Sequence, residues 1–256
     1  MSGVLYLIPT PLGKVSADKS LPSSVISLIH ELKFFAVEQV KTSIQFLQSI
    51  KHPVTEFELN FIVINKQQKD SEQDLEVLNL LLSGESVGLM SEAGCPGVAD
   101  PGSQLIRLAH SAGIRVIPQV GPASMILALM ASGFNGQKFR FNGYLNRDHE
   151  GRNEDLKQLE MSSLQFDQTE LFMESPQRNL TVLKDAIAVL QNETRLLVAC
   201  QITLPDEIII SKTVAEWKRT KLPDIEKKPS IFGIYGEPTF RAKPAKKQTV
   251  TKVKRW

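Results

Sequence analysis

The stretch Ser91-Glu92-Ala93-Gly94-Cys95-Pro96-Gly97-Val98-Ala99-Asp100-Pro101-Gly102 lies between an apolar run, Val87 to Met90, and a helical pattern from Gln104 to His110. A strand, a loop of small residues and a helix in that order form the unit of an open α/β sheet, whose carboxyl edge is where ligands settle. Small residues leave the backbone uncovered there. Two loops of the same kind also follow apolar runs: Pro9-Thr10-Pro11-Leu12-Gly13 after Val4 to Ile8, and Val120-Gly121-Pro122-Ala123-Ser124 after Ile114 to Ile117. Such repetition along one sheet edge implies a single shared cleft.

Short apolar runs alternate with helical patterns through most of the chain, which predicts an α/β protein with mainly parallel strands. Strands are expected at Val4 to Ile8, Phe34 to Glu38, Phe61 to Ile64, Val87 to Met90 and Ile114 to Ile117. Val25, Ile26, Ile29 and Leu32 follow helical spacing, as do Leu75, Leu78, Leu81 and Leu82. Ser71 and Asp74 read as a capping box opening the latter helix, with Gly84 ending it. After a helix over Ala123 to Ala131 the pattern changes. Strands are expected there at Phe139 to Tyr144, Glu170 to Met173, Leu196 to Cys200, Glu207 to Ser211 and Ser230 to Tyr235, and helices at Gly151 to Glu160, Pro176 to Leu190 and Thr213 to Arg219. This divides the chain into an N-terminal α/β domain, 1–118, a C-terminal α/β domain, 119–240, and a tail, 241–256. No long linker separates the domains, so they are expected to pack closely around their cleft.

The chain has 256 residues, 42% of them hydrophobic and 23% charged, as in a water-soluble globular protein with a sizeable core. Its fully apolar runs, such as Met125 to Ala131, fall far short of the ~20 residues a membrane helix needs. No basic region precedes the first apolar run and Pro9 cuts it short, so it reads as a strand rather than a signal peptide, and the protein is expected in the cytoplasm. The two cysteines, Cys95 and Cys200, and the histidines His30, His52, His110 and His149 lack metal spacing. Cys95 reads as a small residue in a tight loop; a nucleophile there would lack a neighbouring His to activate it. From Arg241 to Trp256 there are seven basic residues and no acid; with a whole-chain net charge of +2, the remainder carries −5. Such a tail suits phosphate binding, or serves as a solubilising terminus. Arg147 and Arg152, in the polar stretch around His149, are candidates for a phosphate backbone or for a solvated loop.

No G-x-G-x-x-G follows any strand, so the dinucleotide fingerprint is absent. Instead LYLIPTPLG, SEAGCPGVADPG, VIPQVGPAS and LFMESPQR, in this order, resemble the S-adenosylmethionine-dependent tetrapyrrole methylases. The likeness is greatest to their ribosomal branch, the 16S rRNA cytidine 2'-O-methyltransferases. It spans roughly residues 4–236, and its specificity lies in the ordered set. It implies a homodimer of two α/β domains with S-adenosylmethionine folded into the cleft between them, and an RNA acceptor. It places the cofactor on Pro9 and Pro11, on Ser91, Glu92, Ala93, Gly94 and Val98, on Ala123 and Ser124, on Met173, and on Ile202 and Thr203, with Pro229 near the adenine.

Glu92 is the charged group on which this loop differs from the family, which usually has Asp there. Its carboxylate suits the methionine ammonium or the sulfonium, or else faces solvent. Asp100 reads as an N-cap with Pro101 at the first helical position, or as a catalytic acid. Glu174 and Arg178 could face the acceptor, and Gln177 stands where the ribosomal enzymes usually have His. The family's A-E-D-T-R segment corresponds to Val37-Glu38-Gln39-Val40-Lys41, which keeps Glu38 and a basic residue but loses the second acid and the hydroxyl. A His-containing segment of the related enzymes is expected around Phe57 to Asn60, here FELN. Methyl transfer to a ribose hydroxyl needs an aligned oxygen and a base. Glu38 is the candidate base and Lys41 the group that holds phosphate or orients the acceptor; a plain strand-end Glu–Lys pair is the other reading. Tetrapyrrole ring methylation and a non-catalytic RNA-binding or assembly factor are the alternatives to rRNA methylation.

Overall fold

The computed structural model describes residues 2–64 and 72–237. Ser71, half of the expected capping box, and the basic tail lie outside the described residues. The first sheet contains β1 (Val4–Ile8), β2 (Phe34–Val37), β3 (Asn60–Val63), β4 (Val87–Met90) and β5 (Arg115–Pro118), in the order β3-β2-β4-β1-β5. All its pairings are parallel, with Leu7 opposite Leu89 and Ala36 opposite both Ile62 and Leu89. These strands are apolar on both faces because both are covered. Phe35, Val37 and Met90 pack beneath α1 (Ser23–Glu31) and α2 (Val40–Ser49), while Ala36 and Leu89 pack beneath α3 (Glu72–Ser83) and α4 (Ser103–Ser111). The neighbours β1 and β4 therefore send their following helices to opposite faces. Their carboxyl ends, Ile8 and Met90, open a crevice at this switch in direction.

The second sheet contains β6 (Phe139–Tyr144), β7 (Thr169–Met173), β8 (Arg195–Cys200), β9 (Ile208–Thr213) and β10 (Ser230–Tyr235), in the order β6-β7-β10-β8-β9. Here the parallel expectation fails. Only β6 and β7 pair parallel; β10 lies antiparallel to both β7 and β8, and β9 runs antiparallel to β8. The reason is chain length. Residues 201–207 join β8 to β9, and so short a link cannot form the crossover of a dozen or more residues that parallel neighbours require.

One face of this sheet is covered by α6 (His149–Phe166), α7 (Asn179–Val189) and the short α8 (Val214–Trp217), over a core of Leu156, Phe172, Val182, Trp217 and Phe232. Trp217 is fully buried and its indole Nε1 donates to the Leu196 carbonyl at 2.8 Å. The opposite face receives α5 (Ser124–Ser132), whose Ala128 and Leu129 pack with Leu171, Ala199 and Ile231. Leu12, from the loop after β1, packs into the same cluster. The helix that leaves the first sheet thus closes the second, and the β1 loop follows it there.

His149 and Arg152 belong to α6 rather than to a solvated loop. Asp148 caps this helix by accepting from the Gly151 amide at 2.7 Å. The Arg152 guanidinium is buried, meets Asp185 on α7 at 2.7 Å and donates to the carbonyls of Arg147 and Asp148. Enclosed by its own helix start, it ties α6 to α7 and offers nothing to a phosphate backbone. Removing one partner of a buried ion pair strands the other, at a cost of ~3–5 kcal/mol. Arg152→Met is expected to lower unfolding stability by that order, and the double variant Arg152→Met with Asp185→Leu to recover most of it; urea denaturation of both measures the difference.

Candidate functional site

The loops that leave β1 and β4 are bonded to each other at the carboxyl edge. Thr10 and Gly94 exchange backbone hydrogen bonds of 2.9 and 3.0 Å, and the Thr10 hydroxyl donates to the Ser91 carbonyl at 3.0 Å. The Ser91 hydroxyl donates to the Gly94 carbonyl at 2.6 Å. Gly94 has φ +87°, a left-handed conformation that side chains resist, and an added Cβ would stand 3.3 Å from Leu12 Cδ2. The third loop joins through Cys95, whose Sγ donates to the Pro122 carbonyl at 3.5 Å. Burial, and then the negative charge of Asp100, push the Cys95 thiol above its ordinary value. It is a protonated donor, not an activated nucleophile.

Asp100 is not the N-cap that the sequence suggests. The helix starts after Gly102, which takes the cap position at φ +113°, so Pro101 precedes the helix instead of opening it. An Asp-Pro-Gly run contains two residues able to turn the chain, and the glycine, free to adopt the left-handed region, makes the final turn.

The paired loops form a wall with a cavity on each side. On the side of the second sheet, a cavity of about 260 Å³ is lined by Leu12 and Ala93 from the wall, Ser124 from α5, Met173 from the end of β7, and Ile202 and Pro229 from loops at the same end of that sheet. Five of the expected cofactor residues meet here: Ala93, Ser124, Met173, Ile202 and Pro229. Sequence reasoning missed Leu12, Tyr144, Ala199, Gln201 and Ile231 as lining residues, and gave Glu174 to the acceptor. Leu12 lay within one of the family motifs; the others lie at or beside strand ends, whose facing the local pattern does not give.

The rim of this cavity is held by hydrogen bonds between its loops. Gln201 donates its amide to the Pro229 carbonyl and Lys227 to the Pro176 carbonyl, each at 2.9 Å. The buried Asn179 amide donates to Lys228 and Ile225 carbonyls and to the Ser230 hydroxyl. Glu174, buried at the end of β7, pairs with Arg178 at 3.1 Å, and Arg178 also donates to the Asn146 carbonyl. The lining suits a flat, largely apolar ligand with a charged end. Met173, Ile202 and Ile231 offer an apolar slot, and α5 begins without a side-chain cap, leaving first-turn N–H groups for an anionic group such as a carboxylate. S-adenosylmethionine has both parts.

The other expected cofactor residues are placed differently. Pro11, Ser91 and Glu92 line the cavity on the opposite side of the wall, between it and α2. Gly94 is part of the wall and Ala123 is the residue before α5. Pro9 is buried against Gly121, where an added Cβ would come within 2.4 Å of the proline. Val98 is 48% exposed on the outer part of its loop, and Thr203 is exposed at φ +72° with its amide donating to Glu207. Val98 and Thr203 lie outside both linings.

In that second cavity, also about 260 Å³, Glu92 is held by Thr42, whose hydroxyl donates to Oε1 at 2.7 Å. Glu38 is half-buried where β2 ends, beside β4 in the sheet, and Lys41 is exposed in the first turn of α2. The FELN segment is elsewhere. Phe57 to Leu59 precede β3, at the amino ends of these parallel strands, opposite the edge where the cavities open. His30 and His52 bond the carbonyls of Ile50 and Ile29, tying α1 to the end of α2.

Comparison with known proteins extends this geometry. The sequence model of the tetrapyrrole (corrin/porphyrin) methylases matches residues 5–218. The chain is 31% identical over 213 residues to ribosomal RNA small subunit methyltransferase I of Vibrio cholerae, covering 83% of this chain and 69% of the relative. Its fold resembles that of the methyltransferase CobJ, with a TM-score of 0.61 at 17% identity, covering 92% of this chain and 95% of the other. It also resembles uroporphyrin-III C-methyl transferase from Thermus thermophilus, solved with S-adenyl homocysteine, with a TM-score of 0.54 at 15% identity, covering 91% and 97%. With the family's sequence pattern running through both sheets and the bonded loops between them, this chain belongs to the tetrapyrrole methylase family.

Proposed function

We propose that this protein is an S-adenosylmethionine-dependent methyltransferase that methylates the 2'-hydroxyl of a cytidine in small-subunit ribosomal RNA. The observation that carries the reading is the amphipathic cavity between the Thr10–Gly94 wall and the second sheet, in a chain whose relatives are named for ribosomal RNA methylation. When bound, S-adenosylmethionine supplies a methyl group on a positively charged sulfur. Met173, Ile202, Pro229 and Ile231 would enclose the adenosine and exclude water, and the first turn of α5 would hold the carboxylate. Glu174, kept in place by Arg178, offers an acceptor for ribose hydroxyls or the ammonium. Glu38, at the carboxyl edge one strand from the Glu92 loop, takes the proton from the attacking hydroxyl, and Lys41 steadies a flanking phosphate.

Around this centre the chain divides at about residue 118 into two α/β domains, each with its own sheet and core clusters, followed by the basic tail 241–256. It works as a cytoplasmic homodimer. Support for pairing comes from the outer face of α5 and the loop before it, where Val120 and Met130 are 71% and 74% exposed. No helix among the described residues is long and apolar enough to cross a membrane.

Labelled methyl transfer onto small subunits and 16S rRNA from a strain lacking this protein tests the reading. Label in one cytidine ribose is the expected result. Label in a tetrapyrrole instead would redirect the enzyme, and cofactor binding without transfer to either would make the chain a binding or assembly factor. Cofactor binding itself is expected at micromolar strength: at ~100 times the dissociation constant, S-adenosylhomocysteine should stabilise the fold by ~2.7 kcal/mol, and no thermal shift at millimolar ligand would overturn the cofactor.

Deletion of residues 241–256 is expected to weaken RNA binding and flatten its salt dependence while leaving cofactor affinity intact. The rest of the chain is formally −5 and repels a polyanion at long range, so the tail's seven positive groups dominate the encounter. Each phosphate that the shortened chain no longer neutralises lowers the slope of log K against log salt by about 0.7 on single strands, and equal slopes for the full and shortened chains would reduce the tail to a solubilising terminus.

A further inference from the structure

Glu92, just beyond the carboxyl end of β4, reaches across to the first turn of α2, where its Oε1 accepts from the Thr42 hydroxyl at 2.7 Å. Among the described residues Glu92 makes no other hydrogen bond and pairs with no cation. The Thr42 hydroxyl has a single hydrogen and two acceptors within reach, Glu92 and, at 3.0 Å, the Gln39 carbonyl. Gln39 does not need it. That carbonyl already accepts from the Ser43 hydroxyl at 2.9 Å and from the Ser43 amide at 3.3 Å, which occupies both its lone pairs. The carboxylate is nearer and charged, and so takes the Thr42 hydrogen. Two successive hydroxyl residues at the start of α2 thus differ in what they hold. Ser43, buried, closes its own helical turn, while Thr42, exposed, crosses the crevice to the loop of another strand.

We infer that Thr42 is a positioning residue for the cofactor: it fixes Glu92 so that the carboxylate's other oxygen receives the methionine ammonium of S-adenosylmethionine. The inference rests on the cofactor reading above. Glu92 and Ala93 are successive residues of the wall, and Ala93 lines the cavity on the side of the second sheet. The carboxylate is therefore one residue from that cavity and lacks a protein cation, whereas Glu174, the acid in the lining itself, is already paired with Arg178. An unneutralised carboxylate is the stronger acceptor for an ammonium, which leaves Glu174 for the ribose hydroxyls. The family usually has Asp at this position, and the extra methylene of Glu adds a torsion that an exposed side chain would sample freely. Ordering it on ligand binding would weaken affinity. The Thr42 hydroxyl removes that freedom beforehand and leaves Oε2 open to a donor.

The test is calorimetric titration of the full chain with S-adenosylhomocysteine and with 5'-methylthioadenosine, which keeps the adenosine and the thioether but has neither ammonium nor carboxylate. Thr42→Val is expected to weaken S-adenosylhomocysteine about tenfold, the scale of a hydrogen bond to a charged group, and to leave methylthioadenosine within about twofold. Thr42→Ser, which keeps the hydroxyl, should bind both ligands within about twofold of the unaltered protein. In a Glu92→Ala background, itself weakened toward S-adenosylhomocysteine alone, Thr42→Val should add no more than about twofold, because the residue acts through the carboxylate. An equal loss for both ligands would make Thr42 a structural residue and overturn the inference. So would an undiminished affinity for S-adenosylhomocysteine in Thr42→Val, or a full loss that persists without Glu92. Tight binding that ignores Thr42 removes the inference and leaves the cofactor reading, whereas binding of neither ligand by the unaltered protein removes both.

Discussion

The reciprocal hydrogen bonds between Thr10 and Gly94 are the constraint on which the functional part of this molecule depends. Parallel strands end with their chain heading away from one another, and here β1 and β4 send their helices to opposite faces. Without a link the crevice between them would be a gap. Thr10 and Gly94 close it over a short antiparallel bridge; the Thr10 hydroxyl satisfies the Ser91 carbonyl, and the Ser91 hydroxyl gives the Gly94 carbonyl a second donor. The result is a wall too thin to fill either side, with a cavity on each. Small residues serve it because a wall of two backbone segments has no room for more.

The second sheet completes the cavity on its own side of the wall by a different device. Its strands are mostly antiparallel, so loops from both chain directions reach the same end, and β7, β8 and β10 contribute Met173, Ile202 and Pro229 to one rim. Such loops need bracing. Gln201 to Pro229 and Lys227 to Pro176 are backbone bonds between neighbouring loops, and Gln201, Thr203 and Lys227 all accept positive φ to make the turns. Asn179 holds the third loop from beneath. Strain of this kind persists where surrounding bonds over-determine it, as these backbone bonds do.

Charged residues illustrate how chemistry that looks alike in a sequence is separated by folding. Arg152 appeared beside Arg147 in a polar stretch and became a buried partner of Asp185. Asp100 lost the cap position to Gly102. Glu92 lay among residues assigned to one cofactor and faces the cavity across the wall, held by Thr42 fifty residues away. Phe57 to Leu59 stand at the amino edge of the first sheet, opposite the end where the cavities open.

Periodicity and punctuation determined the elements: the expected strands of the first sheet match those observed to within a residue at each end, because an apolar run bounded by Gly, Pro or a helical repeat has few other structures open to it. The ordered motifs likewise identified the family and the loops that meet. Strand direction in the second sheet, the facing of adjacent residues such as Glu92 and Ala93, and the pairing of Thr42 with Glu92 were decided only in three dimensions. Local sequence carries the preference of a segment for helix, strand or turn. Which side of a wall a side chain takes depends on what the other segment, distant in the chain, already occupies.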